Sequence, residues 1–195
     1  LDEAHKDYDM VVLGAAESTT NPSALFNPIT DDVMRLAPCA TMIVHGEHVS
    51  ADWRPCKVLI PTNGSLASRR AAEVGFAVAS EDDGDVLILK VIQSRIGKEY
   101  LPENAEWEKK QTQIAEQIVG ELREVGELLG INTHSDLRIG TDISDVIIDV
   151  AREEKVDLII LGTSIRPGSD RLYLGPQVEH ILNDAPCSVV VVNSR

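Results

Sequence analysis

The sequence predicts an α/β fold, an open five-stranded parallel sheet with helices on both faces, preceded by a partial second copy of strand, helix and strand. Three observations carry that reading. From Cys56 onward, apolar strand-like runs alternate with helical periodicity, which implies a parallel sheet with crossover helices. A stretch near the start of the chain repeats near its end at one fixed offset. In both stretches a glycine directly follows the first apolar run.

The repeat comes first in chain order. "DMVVLGAAESTTNPSALFNPITDDVMRLAPCATMIV" (Asp9–Val44) aligns without a gap to "DLIILGTSIRPGSDRLYLGPQVEHILNDAPCSVVVV" (Asp157–Val192), 148 residues later, with eight of 36 positions identical. Each copy reads strand, glycine, a loop ending in Asn27-Pro28 or Gly175-Pro176, helix, "APC" and strand. The shared loop length implies that the fold depends on it. Residues 1–45 are therefore the C-terminal part of a first domain, 46–55 a linker, and 56–195 a complete domain. In the complete domain "CKVLIP" is a strand, and "SLASRRAAEVGFAVAS" is a helix with Ser65 as its N-cap. "DVLILKVI" is a strand whose continuous apolar character suits a parallel sheet. A long helix follows, striped by Trp107, Ile114, Ile118, Leu122, Val125 and Leu129 and ended by Gly130. This stripe reads as core rather than contact surface. "INTHSDLRIG" is a weaker strand, and Asp142 caps the helix "ISDVIIDVAREE".

Composition narrows the function. With 32 acidic against 18 basic residues the net charge is −14, so nucleic acid and anionic lipid are poor partners. No apolar run approaches the ~18 residues of a membrane span, and no signal peptide is visible. The start "LDEAHKDYDM" lacks an initiator Met and suggests a piece of a longer chain. Cys39, Cys56 and Cys187 lack CxxC spacing, which argues for a reducing compartment and for small buried residues at strand starts. His45 and His48 are too isolated for a metal site, and "EDDG" reads as a solvated turn. Asn63-Gly64-Ser65 is either a helix N-terminus aimed at a ligand or simply a cap.

A glycine after a strand, a polar loop and a second glycine opening a helix form an anion-cradle pattern. In this chain it runs from Leu161-Gly162 to Gly175, with Arg166 and Arg171 as cations for an anion and Gly168 as a flexible point. Pro176 suits the first helical turn, which an unliganded structural helix would also choose.

Together "VLIPTNGS", "LILKVI", "AREEKVDLIILGTS", "GTSIRPGSDRLYLG" and "APCSVVVVN" resemble the universal stress protein family. The loop "RPGSDRLYLGP" resembles that of such domains on the cytosolic tails of cation/proton antiporters. The resemblance implies an adenine-nucleotide site, with Pro61 and Val91 at its adenine-side positions, Asn63 at its Asp position, and Gly162 and Gly175 as the first and last glycines of its phosphate loop; Thr62, Leu161, Thr163, Arg166, Gly168 and the helix-start amide of Gln177 complete the candidate site. It also implies ATP, ADP or AMP with Mg²⁺ as ligand. Three contact positions depart from the family pattern. Asn63 stands for an Asp, Ile165 for the middle glycine, and Pro176 for the Ser or Thr of the phosphate loop.

Two functions follow as expectations. One is a non-enzymatic, cytoplasmic ligand-sensing or dimerisation module attached to the membrane transporter domain of the same polypeptide. The other is a free-standing, slowly ATP-hydrolysing universal stress protein. In both, the very apolar last strands "ATMIV" and "SVVVV" are expected to pair, inside one chain or across a homodimer.

Overall fold

The computed structural model describes residues 6, 8–15, 26–46, 52–94, 102–165 and 172–193. The chain runs β1 (Met10–Gly14), α1 (Pro28–Leu36), β2 (Ala40–His45), β3 (Lys57–Pro61), α2 (Leu66–Glu81) and β4 (Asp85–Gln93). It continues through α3 (Pro102–Leu128), β5 (Thr133–Gly140), α4 (Ile143–Glu153), β6 (Leu158–Thr163), α5 (Pro176–Asp184) and β7 (Ser188–Asn193).

All these strands join one sheet in the order β1-β2-β7-β6-β3-β4-β5. The sheet therefore has seven strands rather than the expected five. Strands β3 to β7 supply five parallel members, and β1 and β2 extend them through an antiparallel β2–β7 ladder. The physical reason lies in the two last strands, whose apolar runs would otherwise leave an unpaired sheet edge. They pair with each other inside the chain. In that ladder Ile43 faces Val191, both fully buried. These positions are 148 apart, the offset of the sequence repeat, so the ladder is symmetric about them.

Two apolar layers cover the sheet. Residues of α1, α4 and α5, such as Met34, Ile147 and Ile181, pack on one face. Residues of α2 and α3, such as Phe76 and Val119, pack on the other. The helix signals act as local chemistry requires. Ser65 accepts the Ser68 N–H at 3.3 Å, and Asn27 accepts the Thr30 N–H at 2.9 Å. Gly130 ends α3 with φ +77°, and the Ile131 N–H reaches back to the Gly126 carbonyl at 3.0 Å. The α3 stripe differs from expectation. The face turned to the sheet is Ala115, Val119 and Leu122, while Ile114, Val125 and Leu129 are exposed. The covered line runs through Ala115, Val119, Leu122 and Gly126, so Ile114 and Val125, each one position before a covered residue, fall on the flank of the helix, and Leu129 lies past its last residue.

The start of β3 is tied to the start of β6. The Asp157 carboxylate accepts the N–H groups of Cys56 and Lys57 at 3.0 and 2.9 Å. At the other end of β6, α2 presses directly on the strand. A Cβ on Gly162 would lie 2.1 Å from the Ala67 carbonyl oxygen. Gly162 is thus demanded by helix–strand contact, whatever it does for a ligand. Of the cysteines, Cys56 is exposed, while Cys39 and Cys187 are half-buried, so only part of the buried-residue expectation holds. Burial pushes the Cys187 thiol up to about 11, which leaves it protonated and unreactive near neutral pH. Among the described residues no helix is long and apolar enough to cross a membrane.

Two outcomes test these contacts. Gly162→Ala is expected to lower stability by about 1–3 kcal/mol in ligand-free urea denaturation, as overpacking does. An unchanged midpoint would refute the packing account. Asp142 caps α4 by accepting the Ser144 and Asp145 N–H groups at 2.8 and 3.2 Å. The Ser144 hydroxyl, then the Asp145 N–H, hold its carboxyl below the usual carboxylate range. A carboxyl so depressed adds stability above its unfolded pKa and loses it as pH falls through the folded value. Asp142→Ala is therefore expected to cost about 0.5–2 kcal/mol at pH 7, with the difference shrinking toward zero as the medium is acidified below the usual carboxylate range.

Candidate functional site

Strands β3 and β6 lie side by side where the chain order reverses, with β4 and β5 to one side and β7 to the other. Ligands of open α/β sheets bind at the carboxyl ends of strands at such a point. A cleft of about 110 Å³ opens there. Its walls are Pro61, Thr62 and Asn63 at the end of β3, Leu89 to Val91 on β4, and Leu161 and Gly162 on β6. Ile143 and Ile147 of α4 and Gln177, Val178 and Ile181 of α5 close it. A broader groove of about 700 Å³ adjoins it, bounded by α3 through Trp107, Gln111, Ile114 and Ile118. Asn63, Lys90, Val91 and Ile143 belong to both. The inner cleft alone is smaller than the roughly 300–1,000 Å³ of ordinary small-molecule sites, and the outer groove falls within that range.

The residue-by-residue outcome is uneven. Pro61, Thr62, Asn63, Val91, Leu161, Gly162 and Gln177 all line the inner cleft. Thr163 is buried at the end of β6 and lines neither space, and Gly175 also lies outside both linings. Arg166, Gly168 and Arg171 lie outside the described residues. His45 packs edge-on against Phe26 with ring centroids 6.4 Å apart, and His48 lies outside the described residues.

The polar groups divide into those committed to the protein and those left at the wall. The Thr62 hydroxyl donates to Ser68 Oγ at 3.1 Å and accepts the Gly64 N–H at 3.2 Å. Asn63 Oδ1 accepts the Ser65 N–H at 2.9 Å. The Asn63-Gly64-Ser65 turn is therefore a helix cap. The two ends of the cradle loop are also tied down. The Ile165 N–H donates to Asn193 Oδ1 at 3.2 Å, and the Leu172 N–H donates to Asp31 Oδ1 on α1 at 2.8 Å. Buried Asn193 further donates to Thr41 Oγ1 at 3.4 Å, which joins loop, β7 and β2. By contrast the α5 N-terminus has no side-chain cap, and Gly175 holds φ +95° there with open space where a Cβ would go. Conformation rather than crowding requires that glycine. Asn27 fills the same place before α1 and caps its helix with its own side chain.

Sequence reasoning missed Lys90, Ile143, Ile147, Val178 and Ile181. Lys90 left a signal, as the one charge inside the apolar run "VLILKVI". The α4 and α5 residues left none, because helical periodicity marks them only as core. Trp107 and Ile114, read as core, line the outer groove. Asp142, Asp145 and His180 bring donor atoms within 4.8 Å of one another, but Asp142 already caps α4.

Comparison with known proteins agrees with this fold. Residues 56–193 match the model of the universal stress protein family. A universal stress protein of Methanocaldococcus jannaschii is 30% identical over 141 residues, covering 70% of this chain and 81% of that protein. Among solved structures, a universal stress protein from Archaeoglobus fulgidus has a TM-score of 0.64 at 18% identity, covering 98% of this chain and 63% of that one. Another, a universal stress protein in complex with cAMP, has a TM-score of 0.51 at 19% identity and covers 73% of this chain and all of that one. At these identities the structures speak for the fold. With most of its length matched by the family model, the chain belongs to the universal stress protein family.

Proposed function

We propose that this chain is a ligand-sensing domain that binds an adenine nucleotide at the strand ends and does not hydrolyse it. One observation carries the reading. The cleft at the β3/β6 switch point is walled by Pro61, Asn63, Val91 and Gly162, positions that the family resemblance matches to the nucleotide site, together with the candidates Thr62, Leu161 and Gln177. The relative crystallised with cAMP supports the ligand class.

Base and ribose supply most of the recognition in this proposal. Ile165 commits its amide to Asn193, Pro176 has no N–H, and Asn63 carries no charge. The phosphates are left the first-turn amides of α5 and the arginines at 166 and 171. No carboxylate lines either space among the described residues, so any Mg²⁺ would arrive on the nucleotide's own phosphates. Among the described residues that line the two spaces, no carboxylate or histidine is placed as a general base for attack by water.

The output is then conformational. The β1–α1–β2 unit, taken as a partial second copy, touches the ligand loop through Asp31 and reaches its other end from Thr41 by way of Asn193, and its outer β1 edge offers a surface for self-association. Attachment to a cation/proton antiporter is a further expectation from the wording of the 166–176 loop. A free-standing protein fits the same geometry, and the relatives above are described simply as universal stress proteins.

Calorimetric titration with ATP, ADP, AMP and cAMP, with and without Mg²⁺, tests the proposal. Saturable binding is expected, with ATP and AMP within about tenfold of each other in affinity, and no ADP should accumulate from ATP. Val178→Phe, which fills the inner cleft from a half-buried position on α5, should abolish binding with little change in melting temperature. No saturable heat from any of the four at millimolar concentration would overturn the reading.

A further inference from the structure

Asn63 is the one asparagine in the chain that a glycine follows. Such a pair can react with itself, because the next peptide nitrogen comes within reach of the asparagine side-chain carbon. A glycine leaves that nitrogen unshielded, having no Cβ to crowd the approach. Other asparagines lack one requirement or another. Asn21 and Asn27 precede proline, whose nitrogen has no proton to lose. Asn132 precedes β-branched Thr133, and its side-chain amide is held by Asp85 Oδ1 at 2.6 Å. Asn183 lies inside α5 with its side chain turned back to the Glu179 carbonyl at 2.9 Å, away from the next peptide. Asn193 is buried at the end of β7 with its amide on Thr41 Oγ1.

The structure places Asn63 in an exposed turn between β3 and α2. Its Oδ1 accepts the Ser65 N–H at 2.9 Å, which folds the side chain back over the Gly64 peptide. The ring closed by that bond contains both Asn63 Cγ and the Gly64 nitrogen. The same bond draws electron density from Cγ and can hold the negative charge that Oδ1 acquires when a nucleophile adds there. The N-terminus of α2 brings its positive dipole end to this turn as well. Gly64, at φ +82°, donates its N–H to the Thr62 hydroxyl at 3.2 Å rather than to a ladder carbonyl. That long bond is the one the nitrogen gives up in order to react.

We propose that Asn63-Gly64 is a self-modifying site, at which the folded protein converts Asn63 into a carboxylate by deamidation without an enzyme or cofactor. The Gly64 nitrogen gives its proton to solvent hydroxide and forms a bond to Asn63 Cγ. The Cγ–Nδ2 bond breaks, and the departing nitrogen takes a proton from water and leaves as ammonia. A five-membered imide remains, which water opens. Addition of water at Cγ breaks the bond from Cγ to the Gly64 nitrogen and leaves an aspartate at position 63. Addition at the main-chain carbonyl carbon leaves an isoaspartate, with the chain running through the former side chain. In sum an amide and water become an acid and ammonia, and nothing is oxidised or reduced. The fold suits the aspartate product. A carboxylate at position 63 keeps an oxygen for the Ser65 N–H and faces the start of α2, where negative charge is stabilising. The change sets that charge at the rim of the inner cleft and the outer groove, since Asn63 lines both. It requires no bound nucleotide.

Peptide mass mapping of the folded full chain, incubated in mildly alkaline buffer with the fold followed by circular dichroism, tests the proposal. Asn63 is expected to turn to acid at least about tenfold faster than Asn132 or Asn183. An isoaspartyl methyltransferase should label the same peptide. No label should appear there in Asn63→Gln, whose longer side chain would have to close a six-membered ring. A synthetic peptide of residues 58–70 carries the pair without the fold, and the folded chain is expected to react at least as fast. Asn63→Asp, which supplies the product directly, should melt no lower than wild type. Reaction at Asn63 no faster than at Asn132 or Asn183, or slower in the folded chain than in the peptide, would overturn the site. A lowered melting temperature for Asn63→Asp would overturn the fold's preference for the aspartate.

Discussion

The first turn of α2 rests on the backbone of β6, and the rest of the site follows from that contact. Only a residue without a Cβ lets the Ala67 carbonyl come so close to position 162. The approach holds α2 over the junction of β3 and β6 and keeps the inner cleft narrow. It also sets the Asn63-Gly64-Ser65 turn at the rim, where Asn63 meets both spaces. A glycine in a nucleotide-loop pattern is easily credited to the ligand. Here the fold requires it first, and any service to a ligand is secondary.

The second constraint is the antiparallel seam between β2 and β7. It buries β7 and the Thr41 and Ile43 side chains of β2, and its register centres on the two residues that correspond in the sequence repeat. The seam also reaches the ligand loop. Asn193 and Thr41 lie opposite each other in the ladder, and Asn193 holds the Ile165 amide. From α1, Asp31 holds the far end of the loop at Leu172. A segment that the sequence marks only as a repeat is thereby a structural support for the loop of its counterpart. The loop's amides that could have faced a phosphate are, at both described ends, used in this joint.

Much of the fold and part of the site were legible beforehand. Helix caps at Ser65 and Asp142 and the stop at Gly130 are local chemistry, decided within four residues, and they sit where the sequence put them. Pro61, Thr62, Asn63 and Val91 were legible because a strand followed by a turn sends its last residues to one end of the sheet. Thr163 shares a strand face with Leu161 yet lies at the last position of β6 and lines neither space, since reach along the strand as well as alternation decides which residues wall a cleft. The α3 stripe was half misread for a similar reason. Periodicity tells which residues share a helix face, and only the packing of the helix on the sheet tells which line of that face is covered.

The sequence by itself determined the alternation of strands and helices, their ends, the repeat and the family. Those depend on local hydrogen bonds, side-chain periodicity and chain order, all of which are written linearly. Tertiary structure alone decided that the two last strands would pair within the chain and make seven strands of five. It alone decided that Gly162 would be spent on packing and that the Asn63 acceptor would be used in a cap. Each of these depends on which group lies across a gap of a few ångströms from a residue distant in sequence. Coulombic and steric energies are fixed by that distance, and no spacing along the chain records it.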